Sequence, residues 1–239
     1  ADFSRDYIMP TLSDSHFRKD GNFQFTVVAE PGEENNIQYS FDLENWVDYR
    51  TDTNPGELYI PVIPQAGRKG MYFRVLVLGK GYSDNIVGYR LLDVPTGKSL
   101  LSNPLANGDN TLPTLLPGGP AKLTVSTWDS DSVSWKASTF GDAWSDAGLV
   151  VEPGRPALFE NKSADRVTLT FVGEVVQGSL STTVPSGESY HAATLPIAGG
   201  LATNFGFPTP NGLKVSLLDN ATGDWTTHTF SDGTWSPSE

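Results

Sequence analysis

The sequence predicts an all-β protein in two parts, a small β-sandwich followed by a duplicated β-module whose second copy is incomplete. Three observations predict it. Apolar residues alternate with polar ones at period two, in short runs bounded by Gly, Pro, Asn and Asp. No run has the three-to-four-residue apolar spacing of an amphipathic helix. Residues 95–142 align without a gap on residues 185–232, at a constant offset of 90.

The first 21 residues read as an N-terminal arm. Phe3, Tyr7, Ile8, Met9, Leu12 and Phe17 are apolar but stand among Asp, Arg, Ser and Pro10. So many large apolar groups in so short a segment predict docking, on its own domain or as a strand donated to a neighbour. Residues 22–86 follow as the sandwich. In 22–30, Phe23, Phe25 and Val27 share one face and Gln24 and Thr26 the other. Residues 37–41, 46–50, 57–63 and 71–78 alternate in the same way, and 79–85 reads as the exit linker.

Residues 87–239 form the duplicated module, with copy one at 87–176 and copy two at 177–239. Pro95, Gly97, Ser99, Leu105, Pro120, Val125, Asp129, Trp135, Phe140 and Asp142 recur as Pro185, Gly187, Ser189, Leu195, Pro210, Val215, Asp219, Trp225, Phe230 and Asp232. Thirteen of 48 positions are identical, enough to expect that the two segments fold alike. Trp144 matches Trp235 after a one-residue slip. Hairpins are expected at 123–128 with 133–140, and at 213–218 with 225–230. Further strands are expected at 149–151, 157–160 and 166–172. The first copy continues through 149–175, and the second reaches Glu239 where that continuation would start. A repeat buries its apolar face on its neighbour, so copy two is expected to need a strand from elsewhere, in cis or in trans.

Composition narrows the partners. The net charge of −12 disfavours nucleic acid and anionic membrane, which call for clustered Lys and Arg. No apolar stretch approaches the length of a membrane-spanning helix. With no cysteine there is neither a disulfide nor thiol chemistry. Ala1 at the start is expected of a mature protein released by signal-peptide removal, which places the chain outside the cell or on its surface.

Tyr39-Ser40-Phe41-Asp42-Leu43-Glu44-Asn45-Trp46, with Tyr72-Phe73-Arg74-Val75 later, resembles a motif pair of secreted bacterial surface modules. Those modules are immunoglobulin-like or fibronectin-like sandwiches. The stretch from Pro95 to Leu105, with Trp135, Phe140 and Trp144 after it, resembles a second module type from the same proteins. The resemblance implies a surface or adhesive setting and is nearly silent on activity.

Sites for chemistry are sparse. Gly97-Lys98-Ser99 ends like a phosphate loop, but Leu92 stands where the first glycine belongs, and a turn is expected. His16, His191 and His228 are far apart in sequence. Asp129 and Asp131 crowd one hairpin tip and Asp109 another turn, which makes them candidate Ca²⁺ ligands, since calcium takes six to eight oxygens. Trp128 has no aromatic counterpart in copy two and flanks a tip, so it is the candidate for stacking on a sugar. Together these readings predict a non-enzymatic structural subunit that self-assembles into a filament or lattice by strand complementation. Its assembly arm would be Phe3, Tyr7, Ile8, Met9 and Leu12. The alternatives are a polysaccharide-binding adhesive module and, behind it, a glycosidase.

Overall fold

A computed structural model describes residues 7–237 apart from 130, 131, 182, 185, 188, 198 and 204. Among the described residues the protein is almost all β, as expected, with one helix of four residues and sheets that stay open. Two compact units divide the chain. The first is Ala1–Leu91 with Leu105–Asn107 and Thr170–Leu180, and the second is the remainder.

The first unit is an antiparallel β-sandwich. One sheet runs β1 (Thr11–Phe17), β2 (Phe23–Val28), β5 (Glu57–Val62) in that spatial order. The other contains β3 (Glu34–Ser40), β4 (Val47–Thr53), β6 (Gly70–Val77) and β8 (Val87–Val94), with β7 (Gly81–Tyr82) pairing to β6. Its order is β13-β8-β6-β3-β4, where β13 is Val167–Glu174. The inner faces interleave Phe23, Phe25 and Val27 with Ile37, Phe73, Val75 and Tyr89, all buried. The Phe23 and Phe73 rings stack at 5.7 Å, and Phe17 meets Tyr89 edge-on at 5.0 Å. Period two is what permits this, because every second side chain leaves the pleat toward the facing sheet.

One alternative is decided and three expectations are corrected here. Of the two docked outcomes expected for the arm, the one seen from residue 11 onward is docking on its own unit: Thr11–Phe17 pair antiparallel with β2 in the same chain. Leu12 is fully buried, and the Asn85 side chain receives its N–H and donates to its carbonyl, both at 2.7 Å. A register shift between Ser13 and His16 interrupts the alternation, which is why the strand does not read as one. Residues 79–85 are not a linker, since β7 folds back on β6 and the Ser83 hydroxyl receives the Val75 N–H. The chain changes unit inside β8, at Leu91–Leu92 rather than at residue 86. Most of β13, expected to stay within copy one, belongs to the first unit, where Ala106 and Glu174 exchange backbone hydrogen bonds of 2.8 and 2.7 Å.

The second unit holds a four-stranded sheet with the order β11-β10-β12-β9. These strands are β9 (Gly97–Ser102), β10 (Leu123–Asp129), β11 (Ser134–Thr139) and β12 (Pro156–Asn161). The helix α1 (Leu112–Leu115) lies between β9 and β10 in sequence. Leu123, Val125, Ala157, Phe159 and Trp144 are buried there, and Trp144 Nε1 donates to the Leu116 carbonyl at 3.0 Å. Residues 149–151, expected as a strand, make only an isolated bridge between Val150 and Thr111. The remaining sheet is β14 (Lys214–Leu218), β15 (Trp225–Ser231) and β16 (Thr234–Ser236), in that order.

Leu12→Ala removes a fully buried side chain from β1 and is expected to destabilise the first unit by about 2–5 kcal/mol in urea denaturation of the monomer. A monomer whose stability is unchanged would mean that β1 is not part of its own unit in solution.

Candidate functional site

The site with the clearest unsatisfied chemistry is the β14–β15 hairpin. Its local structure repeats that of β10–β11 residue for residue. Leu123 and Leu213 each donate their N–H to a proline carbonyl three residues back, at 3.1 Å in both. Phe140 and Phe230 each donate to the carbonyl of Leu123 or Leu213, at 2.9 Å in both. Cross-strand partners also correspond: Val125 faces Ser138 and Val215 faces His228, while Trp128 faces Trp135 and Leu218 faces Trp225. Phe140 meets Trp144 at 5.2 Å and 67°, and Phe230 meets Trp235 at 5.1 Å and 66°. At the strand entry Lys122 takes a φ of 69°, a costly left-handed backbone for a residue with a Cβ. Gly212 takes 85° at the matched place without that cost.

What differs is the surroundings. β10 has β11 on one edge and β12 on the other. β14 has β15 on one edge and, among the described residues, no strand on the other. From Val176 to Pro237 no described residue is buried. Leu217 is 51% and Trp225 52% exposed. A sheet edge in that condition presents a row of unpaired backbone groups beside apolar side chains, the arrangement that templates strand addition.

The edge of β9 is treated differently. Asn220, at the tip of the second hairpin, accepts the Leu100 N–H at 2.8 Å and donates to the Leu100 carbonyl at 3.3 Å. One side-chain amide thus supplies both bonds that a neighbouring strand would make at that residue. The described residues of 187–192, which correspond to β9, form no strand; Tyr190 instead packs on the first hairpin, 5.8 Å from Trp128 and 5.3 Å from Trp135. Ala192 donates its N–H to the Gly154 carbonyl at 3.3 Å. A side chain at Gly154 would collide with Thr194, so glycine is required where this segment passes.

The residues singled out from sequence are placed as follows. Trp128 is half-buried against Trp135, at 5.5 Å, and Tyr190 is the more open ring of the three, at 41%. The Asp129 carboxylate pairs with Lys136 at 2.6 Å and accepts the Ser132 hydroxyl at 2.9 Å. Asp131 lies outside the described residues. Asp109 accepts the Thr111 N–H and hydroxyl as a turn cap, which holds its pKa below the usual carboxylate range. No group of three metal-ligating side chains occurs among the described residues.

Phe3 lies outside the described residues. Tyr7 and Met9 face their own unit, Tyr7 under Lys80 at 3.9 Å and Met9 against Gly81, whereas Ile8 is 68% exposed. Gly97-Lys98-Ser99 is strand rather than turn, because each residue pairs with β12. The side-chain amide nitrogens of Asn161 and Asn220 are both engaged. Asn161 Nδ2 donates to the carbonyls of Val94 and Asp165, and Asn220 Nδ2 to Leu100.

The Asp42–Trp46 turn and the Tyr72–Val75 strand meet, a juxtaposition the sequence did not disclose. The Arg74 guanidinium lies 4.2 Å from the Trp46 ring and 3.9 Å from Tyr82, and its Nε donates to Gln38 at 2.9 Å. Asp42 organises the turn by accepting the backbone N–H groups of Glu44 and Asn45 and the side chains of Asn45 and Ser40. No protein-family model matches the chain, and no curated protein or solved structure matches it either.

The Asn45 side chain above all, then the turn N–H groups and the Ser40 hydroxyl, hold the Asp42 pKa far below the usual carboxylate range. A depressed folded value contributes stability above the unfolded pKa of about 3.9, and that stability is lost as pH falls through the folded value. The stability gap between the natural chain and Asp42→Ala, from denaturant melts, is therefore expected to be constant from pH 7 to about 5 and to shrink below about 4. A gap that stays constant down to pH 2 would show that the ionised carboxylate is not what the turn depends on.

Proposed function

We propose that the chain is a secreted, non-enzymatic structural subunit that self-associates into an extended surface assembly through strand addition. The observation that carries this reading is the β14 edge, which among the described residues has no strand where the matched β10 carries β12, beside the exposed Leu217 and Trp225. The employment of the polar side chains supports it as well. Asp42, Asp109, Asn161 and Asn220 all organise turns or close strand edges. The matched hairpins support a duplication.

A second reading, an adhesive module for polysaccharide, is favoured by the Trp128, Trp135 and Tyr190 rings at one hairpin. Sugar stacking would use the open Tyr190 face.

Solution mass across about a hundredfold concentration range, with negative-stain microscopy of the same samples, tests the first reading. Filaments or large oligomers growing with concentration are expected. A 25.8 kDa monomer at every concentration would contradict the reading, and glycan-array binding lost on Tyr190→Ala would favour the second.

A further inference from the structure

We propose that the open edge of β14 is the seat of an antiparallel strand donated by another polypeptide, and that β12 defines the chemistry of that strand. The inference rests on the assembly reading only in naming the partner segment; the seat itself follows from the matched hairpins.

β10 shows what the seat holds. Across the β10–β12 ladder Leu123 faces Asn161, Thr124 faces Glu160, Val125 faces Phe159, Ser126 faces Leu158 and Thr127 faces Ala157. Val125, Ala157 and Phe159 are fully buried, so this strand closes the core of copy one. Moving the acceptor by 90 residues puts Leu213 opposite the Asn161 position and Lys214 opposite Glu160 (123 + 90 = 213; 124 + 90 = 214). Val215, Ser216 and Leu217 then face the Phe159, Leu158 and Ala157 positions.

Two features of β14 suit such a guest. The exposed Leu217 stands where the guest's small apolar residue arrives, and Val215 where its aromatic arrives. Lys214 replaces the neutral Thr124 opposite the acidic position, which creates an opposite-charge cross-strand pair that copy one lacks. A lysine on an open edge normally discourages pairing. Here it discriminates in favour of a guest with an acid in that register. The predicted partner is thus an extended segment with a small apolar residue, an aromatic two residues later, and then a carboxylate.

A labelled peptide with the sequence of residues 154–163 is the probe, titrated into the full chain at the lowest concentration of the dilution series. Saturable one-to-one binding is expected, or dispersal of assemblies by excess peptide. Glu160→Lys in the peptide should weaken the effect by roughly fivefold, and Lys214→Glu in the protein should restore it. A general loss of folding would not produce that reciprocal rescue. Neither binding nor dispersal, or equal activity of a scrambled peptide, would overturn the proposal. Peptide binding by a chain that stays monomeric would sink the assembly reading alone. Assembly without peptide binding or dispersal would sink this inference alone.

Discussion

β12 is the strand on which the second unit depends. It lies between β10 and β9, satisfies the backbone of both, and brings Phe159 onto Val125 at the centre of the sheet. A hairpin alone is marginally stable in water because its second face and outer edges remain wet. β10–β11 with β12 buries a core, whereas β14–β15, with the same registers, hydrogen bonds and aromatic pair but among the described residues no strand in that position, fully buries none of its side chains. Local sequence is sufficient to form the hairpin. A third strand is what converts it into a core.

The second unit also closes edges without strands. Asn220 from the second hairpin binds both backbone groups of Leu100 in β9. Tyr190, which corresponds to Leu100 at the offset of 90, packs on the first hairpin. Each half therefore sends its hairpin to the β9 position of the other, a reciprocity expected of two related halves packed about an approximate two-fold axis. These contacts hold copy two against copy one and still leave β14 open.

The sandwich was largely legible, because Phe23, Phe25, Val27, Phe73 and Val75 keep strict alternation and the turns between them carry Gly, Pro, Asn or Asp. The hairpins at 123–139 and 214–231 were legible for the same reason. Alternation does not say which strand pairs with which. β13 reads like any strand of copy one, yet it joins the sheet of the first unit. β1 was hidden by its register shift and by polar residues that edge strands tolerate. The two bonds between Asn220 and Leu100 join residues 120 positions apart, and nothing local marks them. The motif pair around Trp46 and Arg74 was visible as a resemblance, but its physical content, a guanidinium between two rings, required the fold.

Hydrogen–deuterium exchange, residue by residue, tests most directly the claim that β14 is an unfilled counterpart of β10. In dilute solution the β10 amides should be strongly protected. The β14 amides that do not bond β15 should exchange near the rate of an unfolded chain, and should become protected as the chain associates. Equal, concentration-independent protection of β10 and β14 in the monomer would contradict the account, because it would mean that the chain already fills the seat itself.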